Sequence, residues 1–176
     1  MPGVPQQRTG KSGVGIESDL NTLYEDNPLD IDGSVLIRMD NKAKGILRAS
    51  QIATGDENNI TVAIFGRNGA LKWEQENPNY LYLLKDDEPR RLIKPGNASY
   101  NTEVSLDGTK LPAGHPEGIF DAMGNIYRGV AKALRGENSY NGEFPTLYEG
   151  VRGMLFIEKT VESNQNGNVW VSMENQ

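Results

Sequence analysis

The sequence has no cysteine and a single histidine among its 176 residues. The missing cysteines exclude disulfides, thiolate nucleophiles and cysteine-ligated metal sites, and they fit a reducing compartment. With one histidine, the sequence also lacks the spacing of histidines and carboxylates that marks a metal site. We therefore predict that the chain binds no metal ion.

Long apolar runs are also absent. No segment reaches the roughly 18 consecutive apolar residues of a membrane helix, and the first residues lack the apolar stretch of a signal peptide. The 18 Lys and Arg residues are outnumbered by 24 Asp and Glu residues, which gives a net charge of −6. Because an acidic surface favours neither nucleic acid nor anionic lipid, we expect a cytoplasmic protein that binds no nucleic acid and no membrane.

Length and composition predict one domain with a tail. A chain of 176 residues suits a single domain that buries roughly 70% of its unfolded surface. Residues 1–17 are rich in Gly, Pro, Gln and Ser and have no periodicity, which predicts a flexible tail or a junction segment. Residues 18–176 are expected to form a single domain.

The central part of the chain predicts β-strands joined by hairpins. Apolar residues recur at every second position, as on a half-buried strand, and turn-forming residues separate these runs. Asn68 and Gly69 give the strongest hairpin signal, because both residue types tolerate a positive φ. A largely antiparallel sheet follows. Its expected strands are 31–39, 45–53, one beginning at Ile60, 71–75, 80–84 and 91–94.

Farther along, the apolar period changes from two residues to about 3.6. One helix is predicted between Glu117 and Gly136, with an apolar face of Ile119, Phe120, Met123, Ile126, Tyr127, Val130 and Leu134. A second helix is predicted over 146–163 and a last strand over 169–172. The fold class is therefore α+β, an open, mainly antiparallel β-sheet with two helices packed on one face.

His115 is the candidate binding residue, because it stands beside the start of the longer helix. Backbone N–H groups and the helix dipole favour a polar group there. His115 either donates to or accepts from a substrate hydroxyl, or is a loop imidazole bonded to nearby backbone.

The segment from Trp73 to Asn79 also has a binding and a structural interpretation. Its indole could hold a sugar, but a strand end followed by an Asn-Pro turn is the favoured interpretation.

One face of the predicted sheet is too apolar for a solvated surface. On that face, Leu36 and Arg38 come from one strand, and Ala63 and Phe65 from another. Aromatic, aliphatic and Arg side chains in one patch are typical of protein–protein interfaces. We therefore predict a homo-oligomer through these four residues; the alternative is an ordinary sheet with scattered exposed apolar residues.

Three stretches stand in a fixed order along the chain. The first combines 45–53 with 66–79, the second is 111–118 with the following helix, and the third combines 144–146, 150–154 and 170–171. In this order and spacing they resemble the C-terminal domain of the Gfo/Idh/MocA family, named for glucose–fructose oxidoreductase, inositol dehydrogenase and a rhizopine-related protein. The resemblance covers about 18–173.

The resemblance implies a two-domain enzyme whose N-terminal Rossmann domain binds NAD or NADP and whose C-terminal sheet carries the substrate wall and oligomer interface. Here no G-x-G-x-x-G follows a strand, and residues 93–95 (Ile-Lys-Pro) are not the family's Glu-Lys-Pro motif. The family's helix with Asp and His four residues apart is also missing. We therefore assign no catalytic and no cofactor-binding residue to this chain, and expect NAD or NADP only in the full-length protein.

The predicted function is the substrate-side and oligomerisation domain of an NAD(P)-dependent sugar or polyol dehydrogenase, not catalytic alone. The resemblance places 111–118 opposite the nicotinamide, which strengthens the substrate-binding interpretation of His115. The alternative is a stand-alone carbohydrate-binding or assembly module without chemistry, which the same fold could serve. A hydrolase would need a carboxylate pair across a cleft, and the sequence singles out none.

Overall fold

A computed structural model describes residues 30–97, 102–137 and 144–174. The chain divides into two compact units, one ending at Gly55 and the other beginning at Asp56. The predicted tail over 1–17 lies outside the described residues, and the prediction of one domain over 18–176 stays a prediction. The α+β fold class is confirmed, with antiparallel strands and helices in the predicted order. The strands form two sheets instead of one.

The first unit contains a β-hairpin of β1 (Asp32–Arg38) and β2 (Lys44–Ser50). The strands are antiparallel, and their register runs from Asp32 opposite Ser50 to Arg38 opposite Lys44. At the open end, a hydrogen bond from the Ser50 side chain and the charge of Arg48 lower the pKa of Asp32. Alternation along β1 is confirmed, because Val35 and Ile37 are half-buried whereas Leu36 is 63% exposed.

The second unit contains a four-stranded antiparallel sheet in the order β3–β4–β5–β6. Its strands are β3 (Thr61–Gly66), β4 (Gly69–Glu74), β5 (Leu81–Leu84) and β6 (Arg91–Ile93). Directly paired residues share a face. One face is apolar except for Arg91 and carries Val62, Ile64, Leu71, Trp73, Leu81, Leu83, Arg91 and Ile93. The other, which we call the Phe65 face, carries Thr61, Ala63, Phe65, Ala70, Lys72, Glu74, Tyr82, Leu84 and Leu92.

The β3–β4 hairpin forms as predicted, but its backbone differs in one detail. Gly66 pairs with Gly69, so Arg67 and Asn68 make the two-residue connection. The positive φ falls on Gly69 (143°) and not on Asn68. A Cβ atom at Gly69 would lie 2.6 Å from the carbonyl oxygen of Leu84 on β5. Gly69 is therefore required both for its φ and for the close approach of β5.

We expect Gly69→Ala to destabilise the protein by about 2 kcal/mol or more, because the new methyl group would meet rigid backbone at a disfavoured φ. Gly66→Ala is the matched control, since a Cβ there would make an ordinary 3.5 Å contact. Urea denaturation of both variants measures the difference. Equal free energies of unfolding would show that this turn does not need glycine.

Three helices follow the sheet: α1 (Glu103–Gly108), α2 (Ile119–Leu134) and α3 (Leu147–Gln165). The start predicted for α3 is confirmed, because Thr146 and Glu149 form a reciprocal capping box. The short α1 was not predicted; it lies between the last predicted strand, over 91–94, and the predicted helix that begins at Glu117. The last predicted strand, over 169–172, is wrong: the structure has no strand there.

Helix α1 meets α2 through polar groups. The Asp107 carboxylate lies 3.0 Å from Arg128 Nη2 and 3.5 Å from Lys132 Nζ. Arg128 also donates to the Asp107 carbonyl oxygen, and Asn125 donates to the Gly108 carbonyl oxygen. The polar side of α2 is therefore the side that holds its neighbouring helix.

Much of the apolar surface is exposed. The stripe predicted to meet the sheet is 66% exposed at Ile119, 43% at Met123 and 83% at Leu134, although Ile126 and Val130 are half-buried. Across 30–97, 102–137 and 144–174, no hydrophobic side chain is fully buried. Within the same stretches, no helix is both long and apolar enough to cross a membrane. Apolar surface on this scale is typical of chains that are covered by a partner.

Candidate functional site

His115 lies in the loop that precedes α2. Its backbone N–H donates to the carbonyl oxygen of Pro112 (3.1 Å), and its ring Nδ1 lies 3.2 Å from the same oxygen. Because a carbonyl oxygen only accepts, Nδ1 is the nitrogen that carries the proton. In the neutral imidazole, Nε2 is then a hydrogen-bond acceptor on an exposed ring, and it has no partner within the described residues.

Glu117 closes the base of this loop. Its carboxylate Oε1 accepts hydrogen bonds from the backbone N–H groups of Lys110 and Leu111, each at 2.6 Å. Charge-assisted bonds of this kind are shorter and stronger than neutral ones. The carboxylate thus fastens the two ends of the 110–117 segment, with His115 between them.

Asn79 joins the loop to the sheet. Its side-chain nitrogen donates to the Glu117 carbonyl oxygen (2.8 Å), and its side-chain oxygen accepts from the Glu117 backbone N–H (2.9 Å). Asn79 lies in the turn between β4 and β5, where Trp73 Nε1 donates to the Pro78 carbonyl oxygen at 2.9 Å. Trp73 therefore fixes the Asn-Pro turn, which agrees with the favoured structural interpretation of this segment.

The chain after β6 supports the same loop from another side. Gly96 has φ +78°, and a Cβ atom there would lie 3.0 Å from the backbone nitrogen and Cα of Ala113. The His115 loop is thus bonded to the β4–β5 turn through Asn79, passes close to the residues after β6 and leads into the start of α2. At that start, Asp121 accepts from the Gly118 N–H at 2.8 Å.

The structure does not bring the predicted interface residues onto one sheet. Leu36 and Arg38 share an exposed face of β1 in the first unit. Ala63 and Phe65 share an exposed face of β3 in the second unit, where Phe65 is 82% exposed. The two pairs therefore belong to different sheets. Neither sheet includes His115.

The sequence pattern missed Asn79 and Glu117 as site residues. Both lie in segments that it singled out, but they are 38 positions apart, and no local pattern indicates that they pair. Their reciprocal bonds are a tertiary contact between two loops. A polar residue such as Asn after Asn-Pro predicts only a turn.

The described residues do not fit a dinucleotide. Pyrophosphate binding needs a strand, a glycine-rich turn and a helix N-terminus in immediate succession. In the described stretches, strands are followed by strands until β6, and β6 is separated from α1 by residues 94–102 without that motif. Over the same stretches, no three His, Cys, Asp or Glu side chains are grouped closely enough to hold a metal ion.

Comparison with known proteins shows similarity to oxidoreductases. The chain is 29% identical over 153 residues to an uncharacterized oxidoreductase, YfiI, of Bacillus subtilis. It is 34% identical to the solved structure of an oxidoreductase from Sinorhizobium meliloti (TM-score 0.78), covering 88% of this chain. It is 28% identical to an inositol dehydrogenase homologue from Azotobacter vinelandii, solved with NADH and myo-inositol (TM-score 0.75), over 82% of this chain. No protein-family model matches the chain.

The matches cover part of each relative. The chain spans 39% of the YfiI sequence, and 44% and 40% of the two solved chains. The predicted resemblance to the C-terminal domain of a Gfo/Idh/MocA-like oxidoreductase is confirmed by this similarity. The chain is an oxidoreductase-like domain with the fold of these proteins.

Proposed function

We propose that this chain is the substrate-side domain of an NAD(P)-dependent dehydrogenase that acts on a sugar or polyol. The observation that carries the proposal is the similarity over 82% of the chain to a protein whose solved structure contains NADH and myo-inositol. The His115 loop adds support from chemistry, because its exposed imidazole is oriented by backbone groups and offers an acceptor nitrogen to a ligand.

In this proposal, His115 Nε2 accepts a hydrogen bond from one hydroxyl group of the substrate. Neutral imidazole suits a hydroxyl partner, since the hydroxyl donates while Nδ1–H remains bonded to Pro112. The loop that carries the imidazole is fastened by Glu117 and Asn79, so the nitrogen has a defined position. NAD or NADP would be held by residues outside this chain, because the described residues do not fit a dinucleotide.

Self-association is the second part of the proposal. The Phe65 face is rich in apolar and aromatic groups, and Arg90 lies over the Tyr82 ring at 5.3 Å. Such surfaces are enriched in the centres of protein interfaces. A symmetric dimer would bring the same face of two copies together. Leu36 and Arg38 offer a second exposed face, on the hairpin of the first unit.

If the substrate is bound by this chain and the dinucleotide by residues outside it, this chain alone should not bind a nicotinamide dinucleotide. Calorimetry with NADH should show no dissociation constant below about 100 μM, which corresponds to roughly −5.5 kcal/mol. Tighter binding would contradict the proposal that the dinucleotide is held elsewhere. A stand-alone carbohydrate-binding module, the alternative function, would bind a polyol but would belong to no protein with dinucleotide-dependent oxidation activity.

A further inference from the structure

The proton of His115 is placed by a chain of hydrogen bonds that begins 36 positions earlier, at Asn79. Asn79 holds both backbone groups of Glu117. The Glu117 carboxylate then holds the N–H groups of Lys110 and Leu111. These bonds fix the backbone immediately before Pro112, whose carbonyl oxygen meets the His115 ring.

The Pro112 carbonyl oxygen decides which imidazole nitrogen is protonated. In neutral histidine, the hydrogen bond made by one ring nitrogen selects the tautomer and so sets the role of the other. With Nδ1 donating to Pro112, Nε2 has a lone pair and no proton. If the bonds made by Asn79 and Glu117 are lost, the Nδ1–H tautomer is no longer selected. An unrestrained histidine favours the opposite tautomer, with the proton on Nε2.

We infer that Asn79 and Glu117 are positioning residues which hold His115 in its Nδ1–H tautomer, so that Nε2 can only accept. This inference rests on the proposed function of His115 as a ligand-binding residue. It deepens that function by defining the ligand group. The group at Nε2 must be a hydrogen-bond donor, such as the hydroxyl of an uncharged polyol. A carboxylate or phosphate oxygen makes no hydrogen bond to this nitrogen while the imidazole is neutral.

A single imidazole makes the inference directly measurable. The chain contains one histidine, so nitrogen NMR of ¹⁵N-labelled protein reports the two ring nitrogens of His115 without overlap. At a pH where the imidazole is uncharged, the wild-type chain should show mainly the Nδ1–H tautomer. Asn79→Ala and Glu117→Ala should shift the major population to Nε2–H, with circular dichroism unchanged.

Conservative variants and matched controls separate positioning from general folding. Glu117→Gln should retain the wild-type tautomer, because its amide oxygen can accept from Lys110 and Leu111. Asn79→Asp should lose it, since a carboxylate oxygen would face the Glu117 carbonyl oxygen. Asn77→Ala and Glu76→Gln alter the same turn without touching Glu117 and should behave as wild type. If an alanine variant fails to fold, these variants and the wild-type spectrum still decide.

Two results would overturn the inference: a wild-type protein with mainly Nε2–H, or folded Asn79 and Glu117 variants with an unchanged tautomer.

A titration with myo-inositol, followed at the same ring signals, distinguishes failure of the proposed function from failure of the positioning role. If the tautomer depends on Asn79 and Glu117 but myo-inositol leaves the ring unchanged, the proposed function fails and the positioning role stands. If wild type and the Asn79 and Glu117 variants bind myo-inositol equally, the positioning has no part in recognition.

Discussion

Replacing Phe65 with Glu should convert a dimer of this chain into a monomer. Phe65 is 82% exposed near the end of the edge strand β3, with Ala70 directly beside it on β4 and Leu84 beyond it on β5. An aromatic side chain that becomes buried in an interface can contribute about 2 kcal/mol or more. In a symmetric dimer both subunits carry the substitution, so two new carboxylates lie in the interface. The dimer dissociation constant should therefore rise by at least about 30-fold.

Light scattering at micromolar concentration measures this change. Asn68→Glu is the control, because it adds the same charge at the adjoining hairpin connection and not on the Phe65 face. We expect Asn68→Glu to stay dimeric. A monomeric wild-type chain, or a Phe65→Glu variant that remains dimeric, would contradict the proposed interface.

Replacing His115 with Ala should weaken the reaction of a holoenzyme that contains this chain. Loss of one hydrogen bond to a substrate hydroxyl should lower kcat/KM by roughly 1–3 kcal/mol, or about 5- to 150-fold. The imidazole is exposed and bonded only within its own loop, so folding should change little.

Steady-state kinetics with a polyol substrate checks this effect, with thermal unfolding as the test of folding. His115→Gln is the matched variant, since a side-chain amide oxygen can accept in place of Nε2 and should restore part of the loss. Kinetics that are unchanged in His115→Ala would assign the imidazole a purely structural role, as a loop side chain bonded to Pro112.

Strand positions could be predicted because they depend on local patterns. Each of the six predicted strands between residues 31 and 94 has a counterpart, within a few residues at each end. The start of α3 was predictable for the same reason, since Thr146 and Glu149 cap it from within four positions. The short α1 was missed because its Thr102 and Ser105 cap lacks the usual Glu or Gln at the third helical position.

Burial could not be predicted in the same way. Alternation shows which residues share a face, but not whether anything covers that face. Ile64 lies on the expected core face and is 62% exposed. Met123, on the helix face predicted to pack on the sheet, is 43% exposed, so we expect Met123→Asp to destabilise the isolated chain only slightly, by about 0.5 kcal/mol. Within the described residues, nothing fully covers the sheet face that carries Ile64 or the helix face that carries Met123.

The candidate site shows the same limit. His115 was found from its position at a helix start, but the groups that orient it were not. The Asn79 side chain bonds the Glu117 backbone and Pro112 meets the ring through its carbonyl oxygen, and such contacts to backbone groups leave no periodic signal in the sequence. The choice between a binding and a structural imidazole therefore depends on measurement at the ring.

The most direct measurement of the central claim is an NMR titration of the wild-type chain with myo-inositol, observed at the His115 ring. We expect a saturable change in the ring signals with myo-inositol, since Nε2 is the proposed acceptor for a substrate hydroxyl. NADH alone should leave the same signals unchanged, because the dinucleotide site is proposed to lie outside this chain. A folded chain whose His115 signals do not respond to myo-inositol or to other polyols, or respond to NADH alone, would contradict the assignment of this chain as a substrate-side domain.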